Sequence, residues 1–387
     1  VLNQGIDDLE IVITDDCSTD NTVSAINSIS DNRIRLFTHS HNQGPSVAAN
    51  NNIKNSRGEF VCFLSSDDIF MPGKIQKQLA VLEEDLSLGA VFSNMQYIDE
   101  EGSLLEKSGD PMLVPQQDKR EDILRHFFFE GNCLAAPTAM VRRHALDQIG
   151  LLDPRLLQTQ DFDFWIRLCL QFDIKIIPEP LVQYRIRAGL ANADANTPAK
   201  TARIFWELPK VLGQFCALND TDLLFRIFPE AREHAREGLS PRALLALVAL
   251  KAPHRWTRTF GIELIYRELA DPVAARTLQA AGFGYPEFFR AAAETDAAGA
   301  AALEDAIARL QEAGSYMNDV SKARDWWHEQ SDHWQAEANR WQAESNHWHA
   351  ESNHWHAQSL AEAERGIFEH LQMVPDRVLA YFRKKSG

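Results

Sequence analysis

Two stretches decide the fold. Glu10-Ile-Val-Ile-Thr-Asp-Asp-Cys-Ser-Thr-Asp-Asn-Thr22 runs from apolar and β-branched residues into two adjacent acids, then into short polar residues. Its first five residues read as a buried strand, and Ser18 to Asn21 offer N-cap chemistry for a helix through Val23–Ile29. Gly58-Glu-Phe-Val-Cys-Phe-Leu-Ser-Ser-Asp-Asp68 repeats the plan: Glu59–Leu64 reads as a strand that ends in Asp67 and Asp68, with a helix over Gly73–Glu84. Between them Arg33–Phe37 reads as a strand and Ser46–Ile53 as a helix; Gly89–Ser93 is a further strand. Strands alternating with helices predict an α/β fold, a mostly parallel sheet flanked by helices. On such sheets ligands bind at the carboxyl ends of strands, the edge that holds both acid pairs.

Each acidic group has a bland and a chemical reading. Adjacent carboxylates after a buried strand are costly to desolvate. Asp67 and Asp68 therefore suit either a solvated turn, with Asp68 capping the helix beyond Pro72, or a hard divalent cation that leaves coordination sites open to phosphate. Asp15 and Asp16 suit a strand-to-helix turn or an acceptor for a base or sugar. Asp161, within Gln158-Thr-Gln-Asp-Phe-Asp-Phe-Trp-Ile-Arg167, shares a helical face with Trp165 and Leu168. It reads as a cap or dipole partner, or as a general base held near a hydroxyl nucleophile.

Composition narrows the classes. The 387 residues allow two to three domains, and 45% apolar with 24% charged residues is globular. A formal charge of −16 argues against general nucleic-acid binding, because phosphates would be repelled. Five scattered cysteines without a C-x-x-C pair argue against a disulfide framework and structural zinc, and fit a reducing, cytoplasmic setting. The longest apolar run, Ala243–Leu250, is eight residues, well under the roughly 20 a membrane span needs.

Taken in order, the motifs resemble family 2 glycosyltransferases of the GT-A fold. Glu10 to Thr22 is similar to E-I-I-V-V-D-D-G-S-T-D-x-T, Asn42-Gln-Gly44 through Asn50 to N-x-G-x-x-x-A-R-N, and Gly58 to Lys74 to G-E-Y-I-x-F-L-D-S-D-D-x-x-x-P-x-K. Ala136-Pro137, Arg142-Arg143, Gly150 and Asp153, then Gln160-Asp161 and Trp165-Ile-Arg167, follow the acceptor-side segment, and Tyr184-Arg185 opens the closing Y-R-x-H. The resemblance covers about residues 1–190. It implies a metal-dependent inverting transferase that moves a sugar from a nucleotide-diphosphate donor to a glycan or lipid-linked acceptor, as in surface polysaccharide or glycan assembly. It implies that Asp161 is the catalytic base, that Asp68 ligates Mn²⁺ or Mg²⁺, and that Asp16, Asp67, Asn50 and Arg187 line the nucleotide-sugar site. Asp16 would face the nucleobase and Asp67 the ribose.

Departures from the pattern are specific. Ser65 replaces the first Asp of D-x-D in many members, Ala49 an Arg, Asn52 a Gly, Gln160 a Glu and Arg187 the final His, where it would meet the diphosphate. The usual first strand is absent and the chain opens at Val1 in mid-pattern, the expectation for an N-terminal truncation. These departures feed an alternative, a catalytically silent homologue acting as an oligomeric scaffold. A nucleotidyltransferase shares the same nucleotide and metal needs.

Four regions differ in texture: a GT-A domain over 1–198, a helical domain over 199–310, a repeat over 311–364 and a basic amphipathic tail over 365–387. In the repeat, Trp327, Trp334, Trp341, Trp348 and Trp355 recur every seven residues, without Gly or Pro from 315 to 364. That period predicts a supercoiling helix, whose tryptophan seam suits a homo-oligomer through 327–355 or docking on the chain's own helices. The apolar and basic residues of the tail suit either ordinary packing or peripheral contact with the inner face of a membrane.

Overall fold

A computed structural model describes residues 1–105, 119–187 and 198–296, with 336, 337, 339 and 340. The tryptophan repeat and the tail lie outside the described residues, apart from those last four. Val1–Asn196 and Arg203–Thr295 form one compact unit; Thr197–Ala202 and Asp296–Gly387 form another.

The acid-terminated strands form where expected. β1 (Ile11–Asp15) pairs in parallel with β2 (Ile34–Thr38), in register from Ile11↔Ile34 to Asp15↔Thr38. α1 (Thr22–Asn27) and α2 (Pro45–Asn55) follow these strands. The expected cap cluster works through Asp20, whose Oδ1 accepts from the Thr22 N–H at 2.9 Å and its hydroxyl at 2.6 Å.

The larger sheet is mixed, which corrects the expectation of mostly parallel pairing. It runs β3 (Phe60–Cys62), β7 (Met140–Arg142), β5 (Leu88–Ile98), β8 (Asp173–Arg185), β4 (Ile69–Phe70), with β6 (Leu104–Leu105) on β5. Only β5/β8 is parallel there; β3/β7, β5/β7, β4/β8 and β5/β6 are antiparallel. The antiparallel strands β4 and β7 have only two and three residues, too few to show an amphipathic periodicity in the sequence.

α3 (Lys74–Glu84), α4 (Arg120–Phe129), α5 (Arg143–Ile149) and α6 (Gln160–Gln171) complete the layers. In α6, every residue from Phe162 to Ile166 is buried, Asp163 among them. Trp165 meets Phe92 of β5 edge-to-face at 5.0 Å.

Of the helical domain expected over 199–310, Arg203–Thr295 belongs to the same compact unit as Val1–Asn196. α7 (Pro198–Leu212), a 3-10 turn (Gly213–Ala217), α8 (Thr221–Ile227), α9 (Ala231–His234), α10 (Pro241–Leu250) and α11 (Arg255–Glu268) come next, then α12 (Pro272–Ala280) and α13 (Tyr285–Thr295). One hydrophobic cluster runs from Ile53 and Phe92 through Phe128 to Leu224, Leu247 and Leu278. Phe128 of α4 is the joint, with Phe215, Phe228 and Phe260 rings at 5.1, 4.7 and 6.0 Å. Among the described residues, no helix is long and apolar enough to cross a membrane.

Candidate active site

At the carboxyl edge of β1 the two acids diverge, because successive strand residues face opposite ways. Asp15 is buried at 7% exposure; Oδ2 accepts from the Ser18 N–H at 3.1 Å, while Oδ1 is buried without a hydrogen-bond partner among the described residues. Asp16 Oδ1 lies 2.7 Å from His39 Nδ1 and accepts from the Gln43 N–H at 2.9 Å; Oδ2 accepts from the Gly44 N–H at 2.7 Å. A carboxylate has about four lone-pair sites, so three protein donors leave one for a ligand. Asp16 thus ties β1 to β2 and to the start of α2.

Cys17 occupies the glycine position of the motif and adopts φ 67°, a conformation that costs a side-chain-bearing residue about 1–2 kcal/mol. Cys17→Gly is expected to stabilise the protein by about 0.5–1 kcal/mol after the added entropy of the unfolded chain. Denaturant midpoints of the two proteins measure it; equal midpoints would refute the strain.

Asn50, expected at the nucleotide-sugar site, is instead committed to the backbone. Its Nδ2 donates to the Leu152 carbonyl at 2.8 Å, and its Oδ1 accepts from the Leu152 N–H at 2.9 Å. At 8% exposure this two-bond clasp uses one amide donor and one acceptor site. Ser46 Oγ adds a bond to the Leu156 carbonyl. α2 therefore bridges β1 and the segment before Asp161. Asn52 joins it to β1, accepting from the Thr14 hydroxyl at 2.6 Å.

Asp67 and Asp68 meet the end of β8. Asp68, 8% exposed, accepts through Oδ1 from the Arg185 N–H at 3.0 Å. Arg185 Nε donates to the Asp67 carbonyl at 3.0 Å, and its Nη1 to the Asp99 and Glu100 carbonyls. Arg187 places Nε 3.2 Å from Asp67 Oδ2. The structure thus brings Asp67, Asp68 and Arg187 together.

Hard carboxylate oxygens fit Mg²⁺ or Mn²⁺, which bind through one or two carboxylates and complete their shell with water and substrate phosphate. Asp68 and Asp67 supply such a donor set. Among the described residues no group of three or more His, Cys, Asp or Glu converges into an all-protein metal cage.

Asp161 opens α6. Its Oδ1 accepts from the Phe162 N–H at 2.8 Å and its Oδ2 from Asn132 Nδ2 at 3.2 Å. Burial dominates over these bonds and pushes the carboxyl up to about 6. Phe63, on the path from β3 to Asp67, lies edge-on to Phe164 and Trp165 of α6 at 6.1 Å each. Asp161 is linked to the Asp67/Asp68 segment through that ring and to Asp16 through α2.

Sequence reasoning missed four partners. His39, Asn132 and Glu207, which lies on α7 and accepts from the Thr159 N–H at 3.0 Å, are single residues whose neighbours come from distant segments, so no local pattern marks them. Arg185 lay in a quoted motif, yet its contacts to both carboxylate positions needed the β4/β8 pairing.

The layered sheet, its acid-bearing strand ends and the helix-borne carboxylate define an α/β protein of the GT-A class. Residues 1–150 match the glycosyl transferase family 2 model, and the chain carries that family's domain there. An uncharacterized glycosyltransferase of Methanocaldococcus jannaschii is 33% identical over 158 residues, 40% of this chain; the match spans only 52% of that relative's length. The Escherichia coli UDP-Glc:alpha-D-GlcNAc-diphosphoundecaprenol beta-1,3-glucosyltransferase WfgD is 25% identical over 216 residues, 56% of this chain and 78% of that protein. Among solved structures, Staphylococcus aureus TarS 1–349 in complex with UDP aligns with a TM-score of 0.45 at 17% identity, covering 74% of this chain and 78% of that one.

Proposed function

We propose that this chain is a metal-dependent inverting glycosyltransferase that moves a sugar from a nucleotide-diphosphate donor to a hydroxyl of a glycan or lipid-linked acceptor, in surface polysaccharide or glycan assembly. The observation that carries the proposal is Asp161, a carboxyl pushed up to about 6 at the start of a buried helix. A general base works best with a pKa near the operating pH.

Asp161 would take the acceptor's hydroxyl proton as that oxygen bonds to the anomeric carbon. The bond from that carbon to the diphosphate breaks, and its electron pair leaves with the phosphate. Attack opposite the leaving group inverts the anomeric centre. Asn132 holds Oδ2 of the base. Asp68 would hold the divalent cation with Asp67 beside it, and the bound cation would supply charge neutralisation for the departing diphosphate. Arg187, paired with Asp67, adds positive charge at the same place. The family 2 domain supports the donor class, and the named acceptor of the Escherichia coli relative supports a lipid-linked glycan acceptor.

The test is transfer from a panel of nucleotide-diphosphate sugars with Mn²⁺, with the product anomer read by NMR. Retained configuration would overturn the mechanism, and no turnover with any donor would favour the silent scaffold. In an active enzyme, kcat is expected to climb as pH rises through about 6 and to level off above it, because only the ionised carboxylate accepts a proton. A profile flat from pH 5 to 8 would remove Asp161 as base.

A further inference from the structure

The segment before Asp161 is gripped from outside the family-matched residues. Glu207 lies on α7 and is 1% exposed. Its Oε1 accepts from the Leu157 N–H at 3.0 Å. Its Oε2 accepts from the Gln158 N–H at 2.9 Å, the Thr159 N–H at 3.0 Å and the Thr159 hydroxyl at 2.9 Å. Four donors converge on this one carboxylate, three of them on Oε2. Three successive backbone N–H groups turned to one point make an anion-binding concavity, and the chain supplies the anion itself.

This arrangement sets the start of the base-bearing helix. Thr159 is the N-cap position of α6, yet its side chain does not cap the helix, because the hydroxyl is given to Glu207. Asp161 follows two residues later. A second strut comes from the same region: Gln214 Nε2 donates to Asp163 Oδ1 at 2.7 Å. Arg167 Nε holds the other oxygen of Asp163 at 2.9 Å and ties α6 back to the Leu151 carbonyl. The first turn of α6 is therefore held at Thr159 and at Asp163 by residues of α7 and the turn that follows it.

We propose that Glu207 is a positioning residue for Asp161, acting through the 157–159 backbone, so that the helical region is an integral part of the catalytic apparatus. The inference rests on the transferase reading given above. It assigns the helices beyond residue 198 a role in turnover that packing alone does not require.

The test compares Glu207→Gln, Glu207→Asp and Leu244→Ala in the full chain. Gln keeps the shape but turns an amide toward backbone donors, so at least one N–H loses its acceptor; Asp keeps the charge on a shorter stem. Leu244→Ala empties a buried site on α10 and controls for general destabilisation. For Glu207→Gln the expected results are at least tenfold faster hydrogen exchange in peptides covering 155–162, a 10- to 100-fold lower kcat, and a donor KM within threefold of wild type. Glu207→Asp should recover part of kcat, and Leu244→Ala should lower Tm without the kcat loss. Should Glu207→Gln fail to fold, Glu207→Asp carries the same comparison at smaller amplitude. Unchanged exchange at 155–162, or unchanged kcat in an enzyme that Asp161→Asn inactivates, would overturn the role of Glu207 alone. An inactive wild type, or an active Asp161→Asn, would instead remove the transferase reading and this inference with it.

Discussion

Asp161→Asn is expected to lower kcat by about 10²–10⁴-fold, the usual worth of a general base, while making the protein more stable at neutral pH. The two effects share one cause. Burial raises the Asp161 carboxyl from 3.8 to about 6 in the folded protein. Its contribution to stability is fully present below pH 3.8, where both states are protonated, and is lost as pH rises through about 6. Above that the folded protein holds an ionised, poorly solvated carboxylate, a penalty on the order of 1–3 kcal/mol from a shift of about two units. Asn removes the charge and keeps an acceptor for the Phe162 N–H. Calorimetry should show a Tm gain of a few degrees at pH 7.5 that shrinks at pH 4.5 and vanishes below pH 3.8. Retained activity, or a Tm loss at pH 7.5, would count against the assignment.

Asp68→Asn should be nearly as damaging by a different route. The substitution preserves an oxygen for the Arg185 N–H, so the junction between β4 and β8 stays closed. It deletes the charge on the carboxylate proposed to hold the cation. A loss of about 10²–10³-fold in kcat/KM follows from removing one electrostatic stabiliser of the leaving group. Wild type should gain thermal stability from nucleoside diphosphate only when Mn²⁺ is present, and Asp68→Asn should not. Asp67→Asn should lose less, because Arg187 already offsets that charge. Full wild-type activity in excess EDTA would eliminate the cation.

Much of the site was legible because its acids follow apolar strands. A carboxylate pair at Asp15/Asp16 or Asp67/Asp68 cannot face a core unaccompanied, and strand ends collect ligands in α/β sheets. Asp161 was legible from its motif and its place at the start of an amphipathic segment. The contacts of Asn50 were not legible, because its motif points to the α2 region without saying what its amide touches. Only the fold brings Leu152 within reach of both its donor and its acceptor.

Strand direction shows the same division. The apolar periodicity of Ile11–Asp15 and Ile34–Thr38 declares two strands joined by a helix, and such a crossover makes them parallel. Nothing of the kind marks Met140–Arg142, whose antiparallel partners β3 and β5 lie far away along the chain.

By itself the sequence determined the α/β layering, the acids at the strand ends, the helix that carries Asp161 and the −16 net charge, because each depends on residues within one segment or on simple addition. Tertiary structure alone decided how those acids are used. It set Asp16 on His39 and the α2 turn, Arg187 on Asp67, and a buried carboxyl near 6 at Asp161. It also placed Glu207 under the 157–159 backbone. Burial, ion pairing and backbone capture arise between segments distant in sequence, and their energies exist only once folding has excluded water from the space between them.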